Sequence, residues 1–233
     1  MTKTEPHWQF WIDRGGTFTD VVARNPEGRF LTHKLLSENP ERYRDAALQG
    51  IKQILNQGEH AKEASQIEAV KMGTTVGTNA LLERKGEPTA LVITTGLKDC
   101  LKIGYENRPD IFALKIELPE QLYRAVVEIE ERIDAHGEVL TPLDRDRAKD
   151  QLQAIYQSGI RSVAIVLMHA WRYPGHERIL KELAEEIGFS QISVSHQVSP
   201  LMKIVSRGDT TVVDAYLSPL LRRYVDQVSS GLD

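Results

Sequence analysis

The segment Asp13-Arg-Gly-Gly-Thr-Phe-Thr-Asp20 brings together residue types that can bind phosphate. Backbone N–H groups approach a phosphate closely only where side chains are absent, and two adjacent glycines provide that access. Two threonine hydroxyls can add donors. Two carboxylates would repel a bare phosphate but suit Mg²⁺, which binds carboxylate and phosphate oxygens together and keeps several waters. The segment predicts a nucleotide-phosphate loop made of Asp13, Gly15, Gly16, Thr17, Thr19 and Asp20.

A plain β-hairpin explains the same segment when it is taken alone. Glycines would supply positive φ angles and an aspartate would cap the turn. For an isolated Gly-Gly pair this simpler interpretation is the better one. The sequence contains neither a Walker-type G-x-x-x-x-G-K-[ST] loop nor a G-x-G-x-x-G dinucleotide fingerprint.

A second polar group lies in the run from Met72 to Gly86, where a predicted helix follows a short strand. Helix N-termini favour anions, and hydroxyl and amide groups there can contact a ligand. Plain N-capping is the alternative, but capping requires one such residue. Four near one helix start favour a ligand site, with Thr74, Thr75, Thr78 and Asn79 as its candidates.

A third candidate lies in the irregular segment from Gly104 to Pro119. Irregular segments of this length in a compact domain are often functional. Arg108, next to Asn107, could hold a substrate carboxylate through two hydrogen bonds. A surface arginine beside a rigid turn is an equally good interpretation of the same residues.

The elements that must position these groups begin with three strands, at Trp8–Ile12, Phe18–Ala23 and Arg29–Leu36. Their short connections predict an antiparallel meander. A helix is expected to begin at Asn39-Pro40 and end by Gly58. Strands then alternate with helices, which predicts α/β units and a largely parallel sheet. The expected strands are 69–72, 89–94, 124–133, 162–168 and 191–195, and the expected helices are 75–85, 97–103, 144–158, 174–187 and 206–228.

Composition limits the class of protein. The chain has 233 residues and a net charge of −4, so it can form one large domain or two small ones and has no basic excess that favours nucleic acid. The single cysteine, Cys100, excludes an internal disulfide and fits a reducing compartment. Without a long apolar run or a signal peptide, we expect a cytoplasmic protein that does not enter a membrane. The seven histidines show no metal-binding spacing.

Four segments together resemble the N-terminal part of the hydantoinase A / 5-oxoprolinase family. They are DRGGTFTD from Asp13, GTTVGTNALLERKG from Gly73, the run from Thr94 to Phe112, and VSPLMKIVSRGDTTVVDAYLSP from Val198. The resemblance implies an α/β fold: the first lobe of an actin-like, ribonuclease H-like ATPase, with an N-terminal β-meander and further α/β units. It also implies a hydantoinase/oxoprolinase N-terminal domain over 1–200 and the truncated start of the following hydantoinase A domain over 201–233.

The activity implied by this resemblance is ATP-dependent opening of a small cyclic amide, with 5-oxo-L-proline as the favoured substrate. ATP phosphorylates the ring carbonyl oxygen in the family's proposed chemistry, and water then attacks the activated carbon. Asp13 and Asp20 are the implied catalytic residues: Asp13 would orient Mg²⁺ through water, and Asp20 would support the phosphate loop. The resemblance implies a cofactor-binding set in which Gly15, Gly16 and Thr17 hold the β- and γ-phosphates. Thr19 would support that loop, and Thr74, Thr75 and Asn79 would face the cleft.

Two alternatives to a 5-oxoprolinase remain open. The chain could belong to an ATP-dependent hydantoinase or an acetone carboxylase-like subunit, or it could be a non-catalytic actin-like nucleotide-binding module. No second loop of the Asp-x-Gly-Gly-Thr type follows Asp20, so the isolated chain is expected to have little or no activity. The family also implies a hydantoinase B-type subunit or domain as partner. The apolar stripe of the last helix would allow a homo-oligomer.

Overall fold

The computed structural model describes residues 7–56, 67–105, 112, 114–115, 118 and 120–231. Contacts within the chain divide it into two compact units. The first contains residues 1–83 and 221–233, and the second contains residues 84–220. Asn107 and Arg108, the candidate substrate residues, lie outside the described residues. The family domain boundary near residue 200 stays a prediction.

The first unit contains a four-stranded sheet with the order β3-β2-β1-β4. The strands are β1 (Trp8–Arg14), β2 (Phe18–Arg24), β3 (Phe30–Leu36) and β4 (Ile67–Thr74). Strand β2 pairs antiparallel with both β1 and β3, which confirms the predicted meander. Strand β4 joins the other edge of β1 in parallel orientation.

Alternating side chains explain which face of this sheet is buried. Trp8, Phe10 and Ile12 of β1 point to one face and are at most 3% exposed. They form a core with Ile51 and Ile54 of helix α1 (Ala46–Leu55). The residues that alternate with them point to the opposite face. That face is exposed to solvent at the end of β1.

Helix α1 begins at Ala46, so the predicted start at Asn39-Pro40 is wrong. The Asp45 carboxylate caps the helix, because it accepts a hydrogen bond from the Leu48 N–H at 3.0 Å. The Asn39 carbonyl instead accepts from the N–H groups of Arg42 and Tyr43 and closes a turn. Asp45, six residues farther along the chain, therefore caps the helix in place of Asn39.

Helix α2 (Val76–Leu82) confirms the predicted helix after β4 but is shorter than residues 75–85. Arg84 has a φ of 57°, a left-handed conformation that ends a right-handed helix. The first unit also includes the last residues of the long C-terminal helix, where the buried Tyr224 hydroxyl donates to Met72 Sδ at 3.2 Å.

The second unit contains a four-stranded sheet in which every pairing is parallel, with the order β10-β9-β5-β6. This confirms the α/β prediction. Its central strands are buried throughout, as expected for a sheet covered on both faces. The strands are β5 (Thr89–Thr94), β6 (Tyr123–Ile129), β9 (Ser162–Val166) and β10 (Gln191–Val194).

One predicted strand of this unit, residues 124–133, is two strands. After Ile129 the chain leaves the parallel sheet, and β7 (Arg132–Ile133) pairs antiparallel with β8 (Val139–Thr141). The break lets Glu131 turn inward, where it is 3% exposed.

Helices cover this unit as the sequence periodicity indicates. The predicted long C-terminal helix is confirmed and contains Pro219. None of the described helices has the length and apolar character that crossing a membrane requires. The helices are α3 (Cys100–Ile103), α4 (Arg145–Gln157), α5 (Gly175–Ile187), α6 (Ser195–Val198) and α7 (Ile204–Ser230).

Candidate phosphate-binding site

The turn between β1 and β2 is tight and closed by its own backbone. Gly15 N–H donates to the Phe18 carbonyl at 3.0 Å. A Cβ atom at Gly15 would lie 3.0 Å from that carbonyl oxygen, so a side chain there would crowd the turn. Neither Gly15 nor Gly16 has a positive φ angle. The turn therefore requires glycine because its backbone atoms lie too close together for a side chain. It does not require a left-handed backbone, on which the plain hairpin interpretation depended.

Ser37, just after β3, stabilises the turn through hydrogen bonds. Its hydroxyl donates to the Gly15 carbonyl at 2.7 Å, and its N–H donates to the Thr17 carbonyl at 2.9 Å. The Thr19 hydroxyl lies 3.0 Å from the Ser37 hydroxyl, and both residues are buried. Thr19 therefore supports the turn, while Thr17 and Gly16 are exposed at its tip.

The two predicted carboxylates lie side by side on the open face of the sheet. Asp13 on β1 is the direct cross-strand neighbour of Asp20 on β2, and both are exposed. Gly73 of β4 is the neighbour of Asp13 on its other side. A Cβ at Gly73 would lie 3.7 Å from Asp13 Oδ1, so the glycine leaves the space beside this carboxylate open.

The two carboxylates differ in their partners. Asp20 receives the Lys34 ammonium at 2.7 and 2.8 Å, one distance for each carboxylate oxygen. Asp13 makes no hydrogen bond or ion pair with any residue that the structure describes. Asp13 is thus the carboxylate available to a ligand.

The second polar segment packs against the first. Thr75 N–H and the Thr75 hydroxyl both point to the Arg14 carbonyl, at 3.0 and 3.3 Å. The Asn79 amide donates to the Thr75 hydroxyl at 3.4 Å, and its nitrogen would lie 3.3 Å from a Cβ at Gly16. The structure therefore brings Thr75 and Asn79 to the glycine turn. Thr74 is exposed beside them, and its hydroxyl accepts from the Val76 N–H at 3.1 Å.

An open cleft of about 320 Å³ lies along the sheet face next to the two aspartates. Its walls are mainly apolar, and Lys71 adds a cation whose ammonium lies 5.7 Å from the Trp11 ring centre. The cleft is lined by Trp11, Ile12, Asp13, Asp20, Val22, Lys71, Met72 and Gly73.

Arg14, the residue between Asp13 and the glycines, points away from this cleft. Its guanidinium lies 3.8 Å from the Asp45 carboxylate and 4.7 Å from the ring centre of Tyr224. Burial raises the pKa of Tyr224, and the hydrogen bond and charge of Arg14 act in the opposite direction. This anchor was not predicted, because Arg14, Asp45 and Tyr224 are far apart along the chain.

Donor chemistry supports a magnesium-bound phosphate at this turn. A free carboxylate at Asp13 suits a hard cation or its water shell. The exposed backbone at Gly16 and the polar atoms of Thr17, Thr74 and Asn79 suit phosphate oxygens. Among the described residues, no group of three or more His, Cys, Asp and Glu side chains could hold a metal by itself.

A buried polar network in the second unit was not predicted. Glu177 of α5 is fully buried and accepts from Leu167 N–H at 3.0 Å and from the Ser195 hydroxyl at 2.6 Å. The Glu177 carboxylate also accepts from the His196 backbone N–H at 3.0 Å, and the His196 ring Nδ1 lies 2.6 Å from it. Arg207 completes the network through its Nε atom, 2.9 Å from the Ser195 hydroxyl.

Arg207 is also fully buried, and its remaining N–H groups bind carbonyls. They reach Leu201 at 2.6 Å, Met202 at 3.1 Å and Leu167 at 2.7 Å. Burial lowers the pKa of Arg207, and the Glu177 charge opposes that shift. The buried Glu177 carboxylate and Arg207 guanidinium thus bind groups of the protein itself, as buried charged side chains do when they stabilise a fold.

Comparison with known proteins identifies the family. The model for the hydantoinase/oxoprolinase N-terminal region matches residues 9–188. The chain belongs to the hydantoinase/oxoprolinase family. It is 42% identical to a 5-oxoprolinase from Dictyostelium discoideum and 41% identical to 5-oxoprolinase 1 from Arabidopsis thaliana, with the whole chain covered in both cases. It spans 21% and 20% of the lengths of these two relatives.

Solved structures agree with this family assignment. The ATP-dependent caprolactamase from Pseudomonas jessenii matches 96% of the chain with a TM-score of 0.80 and 26% identity, over 33% of its own length. Nucleotide-free acetone carboxylase matches 96% of the chain with a TM-score of 0.78 and 24% identity, over 34% of its own length. These likenesses confirm the predicted mixed α/β, actin-like fold.

Proposed function

We propose that this chain supplies the phosphate-binding lobe of an ATP-dependent cyclic amide hydrolase that acts on 5-oxo-L-proline. The observation that carries the proposal is the free carboxylate of Asp13 beside a glycine turn that is braced by Thr75 and Asn79. The same residues lie in a chain that is about 40% identical, over its whole length, to proteins named 5-oxoprolinase. The products would be L-glutamate, ADP and phosphate.

In the proposed site, Gly15, Gly16 and Thr17 hold the β- and γ-phosphates. Thr74 and Asn79 contact them from the other side, and Thr75 holds Asn79 in place. Asp13 orients a hydrated Mg²⁺, which when bound would neutralise charge on the phosphates. Thr19 acts through Ser37 to shape the turn and does not contact the nucleotide, because its side chain is buried.

The proposed reaction couples two steps. The γ-phosphoryl group moves from ATP to the amide oxygen of the ring, and ADP leaves. Water then adds to the activated ring carbon, the ring C–N bond breaks to leave an acyl phosphate, and a second water hydrolyses this group to the carboxylate and phosphate. Catalysis of phosphoryl transfer consists mainly of positioning and charge stabilisation, which matches a site made of backbone, hydroxyls and one free carboxylate.

A second candidate is an ATP-dependent hydantoinase or an acetone carboxylase-like subunit. The likeness to a caprolactamase at a TM-score of 0.80, and 28% identity to the gamma subunit of acetophenone carboxylase, favour keeping it. A non-catalytic nucleotide-binding module remains the alternative of another class. We further propose a hydantoinase B-type subunit or domain as partner, a cytoplasmic location, and substrate recognition by Asn107 and Arg108.

The test is ATP hydrolysis by the intact protein in the presence of different cyclic amides. The proposal predicts ADP release that depends on 5-oxo-L-proline and produces one glutamate per ADP. Hydantoin, caprolactam and acetone with bicarbonate serve as comparison substrates. Turnover with one of these and none with 5-oxo-L-proline would select the second candidate. ATP binding without turnover on any substrate would select the non-catalytic module.

A further inference from the structure

A straight row of four residues crosses the sheet of the first unit beside the glycine turn. Gly73, Asp13, Asp20 and Lys34 are direct cross-strand neighbours on β4, β1, β2 and β3. Neighbours in such a row point to the same face, with side chains close enough to interact. Lys34 is therefore part of the same surface as the two aspartates, although its place there was not predicted.

The contacts within this row are uneven. Lys34 binds both oxygens of Asp20, and its ammonium also lies 5.3 Å from the ring centre of Phe18, the first residue of β2. Asp13 has no described partner. Two like charges directly opposite each other on a sheet are unfavourable, and a cation on the third strand relieves that repulsion.

We propose that Lys34 of β3 is a positioning residue of the nucleotide site, which holds the Asp20 carboxylate of β2 and leaves Asp13 as the free carboxylate of this row that faces the phosphates. This inference rests on the proposed function and adds a division of roles to it. With Lys34 in place the row carries a net charge of −1, and without it −2. A polyphosphate carries several negative charges, so its approach is hindered when the second carboxylate is released.

The lysine is suited to this role because its side chain and that of Asp20 are both more than half exposed, at 57% and 54%. An exposed pair of this kind contributes little to stability. Its removal is therefore expected to leave the fold intact. The change of charge should instead alter the affinity for the ligand.

The experiment measures equilibrium binding of ATP to the intact protein by calorimetry, with Mg²⁺ and with EDTA. Lys34→Met removes the charge, Lys34→Arg keeps it, and Lys52→Met removes a lysine from the exposed side of α1 as the matched control. We expect Lys34→Met to weaken MgATP binding about fivefold. In the same variant the affinity for metal-free ATP should fall further, because no cation then offsets the exposed Asp20 charge. Lys34→Arg should recover most of the affinity, and Lys52→Met should match the wild type.

The double variant Lys34→Met with Asp20→Asn separates charge from shape. If Lys34 acts by restraining Asp20, loss of both charges should restore ATP affinity to within about twofold of the wild type. If the wild type binds ATP and Lys34→Met binds it with the same affinity, the role of Lys34 is overturned but the proposed function is not. A double variant as weak as Lys34→Met would also overturn it. Failure of the wild type to bind ATP would overturn the proposed function, and this inference with it.

Discussion

Replacement of Glu177 by alanine should destabilise the second unit more than any exposed substitution on the same helix. The change removes the acceptor of two backbone N–H groups, at Leu167 and His196, and of the Ser195 hydroxyl. It also leaves the buried guanidinium of Arg207 without its nearby carboxylate charge. These losses occur where water cannot replace the missing partner.

The magnitude follows from the kind of groups left unpaired. Removing one member of a buried charged network typically costs about 3–5 kcal/mol. Each orphaned N–H group costs about 1–3 kcal/mol by itself, but these terms overlap with the first and do not add to it. We therefore expect Glu177→Ala to lower the free energy of unfolding by about 3–5 kcal/mol. That is a large part of the about 5–15 kcal/mol that stabilises an ordinary domain.

The assay is urea unfolding followed by circular dichroism, with Glu182→Ala as the matched control. Glu182 is on the same helix but has a 61% exposed side chain, and its partner Arg145 lies 3.4 Å away at the surface. This control should change stability by no more than about 0.5 kcal/mol. A Glu177→Ala loss as small as that of the control would refute the view that the buried network holds this unit together.

Three further predictions concern single contacts. Ser37→Ala should cost about 1–3 kcal/mol in urea unfolding, because the Gly15 carbonyl loses its hydroxyl partner; a loss below about 0.5 kcal/mol would contradict this. Gly50→Ala should lower stability by about 1 kcal/mol net: its Cβ would lie 2.6 Å from Val21 Cγ2, overpacking costs about 1–3 kcal/mol, and better helix propensity offsets about 1. Gly175→Ala, with nothing within 4 Å, is the control and should not destabilise. Burial and the charge of Asp209 raise the pKa of Cys100, so labelling by a thiol reagent should increase only at a higher pH than for a free cysteine, and an ordinary pH profile would contradict this.

Local patterns in the sequence predicted most elements of the fold because each pattern depends on nearby residues. Period-two alternation indicated the meander, and apolar runs indicated the buried strands β5 and β9. Helix boundaries were less predictable, because several residues can cap a helix and only one does. Asp45 rather than Asn39 begins α1 for this reason.

The candidate site was predictable in its residue types but not in its internal contacts. The two polar segments could be identified from their composition, and the structure places Thr75 and Asn79 against the glycine turn. Ser37 and Lys34 were missed because strand pairing alone brings them to the turn and to Asp20. The buried network of Glu177 and Arg207 was hidden for the same reason, since its members come from distant parts of the chain.

The central claim is that the glycine turn and Asp13 bind the phosphates of ATP for cyclic amide hydrolysis. Its most direct test is 5-oxo-L-proline-dependent ATP hydrolysis by the intact protein, comparing wild type with Asp13→Asn and with Asp226→Asn, an exposed aspartate of α7. We predict a loss on the order of 10²-fold or more for Asp13→Asn, because a group that organises charge in the transition state is removed. Asp226→Asn should match the wild type. Equal turnover in the wild type and Asp13→Asn would contradict the claim.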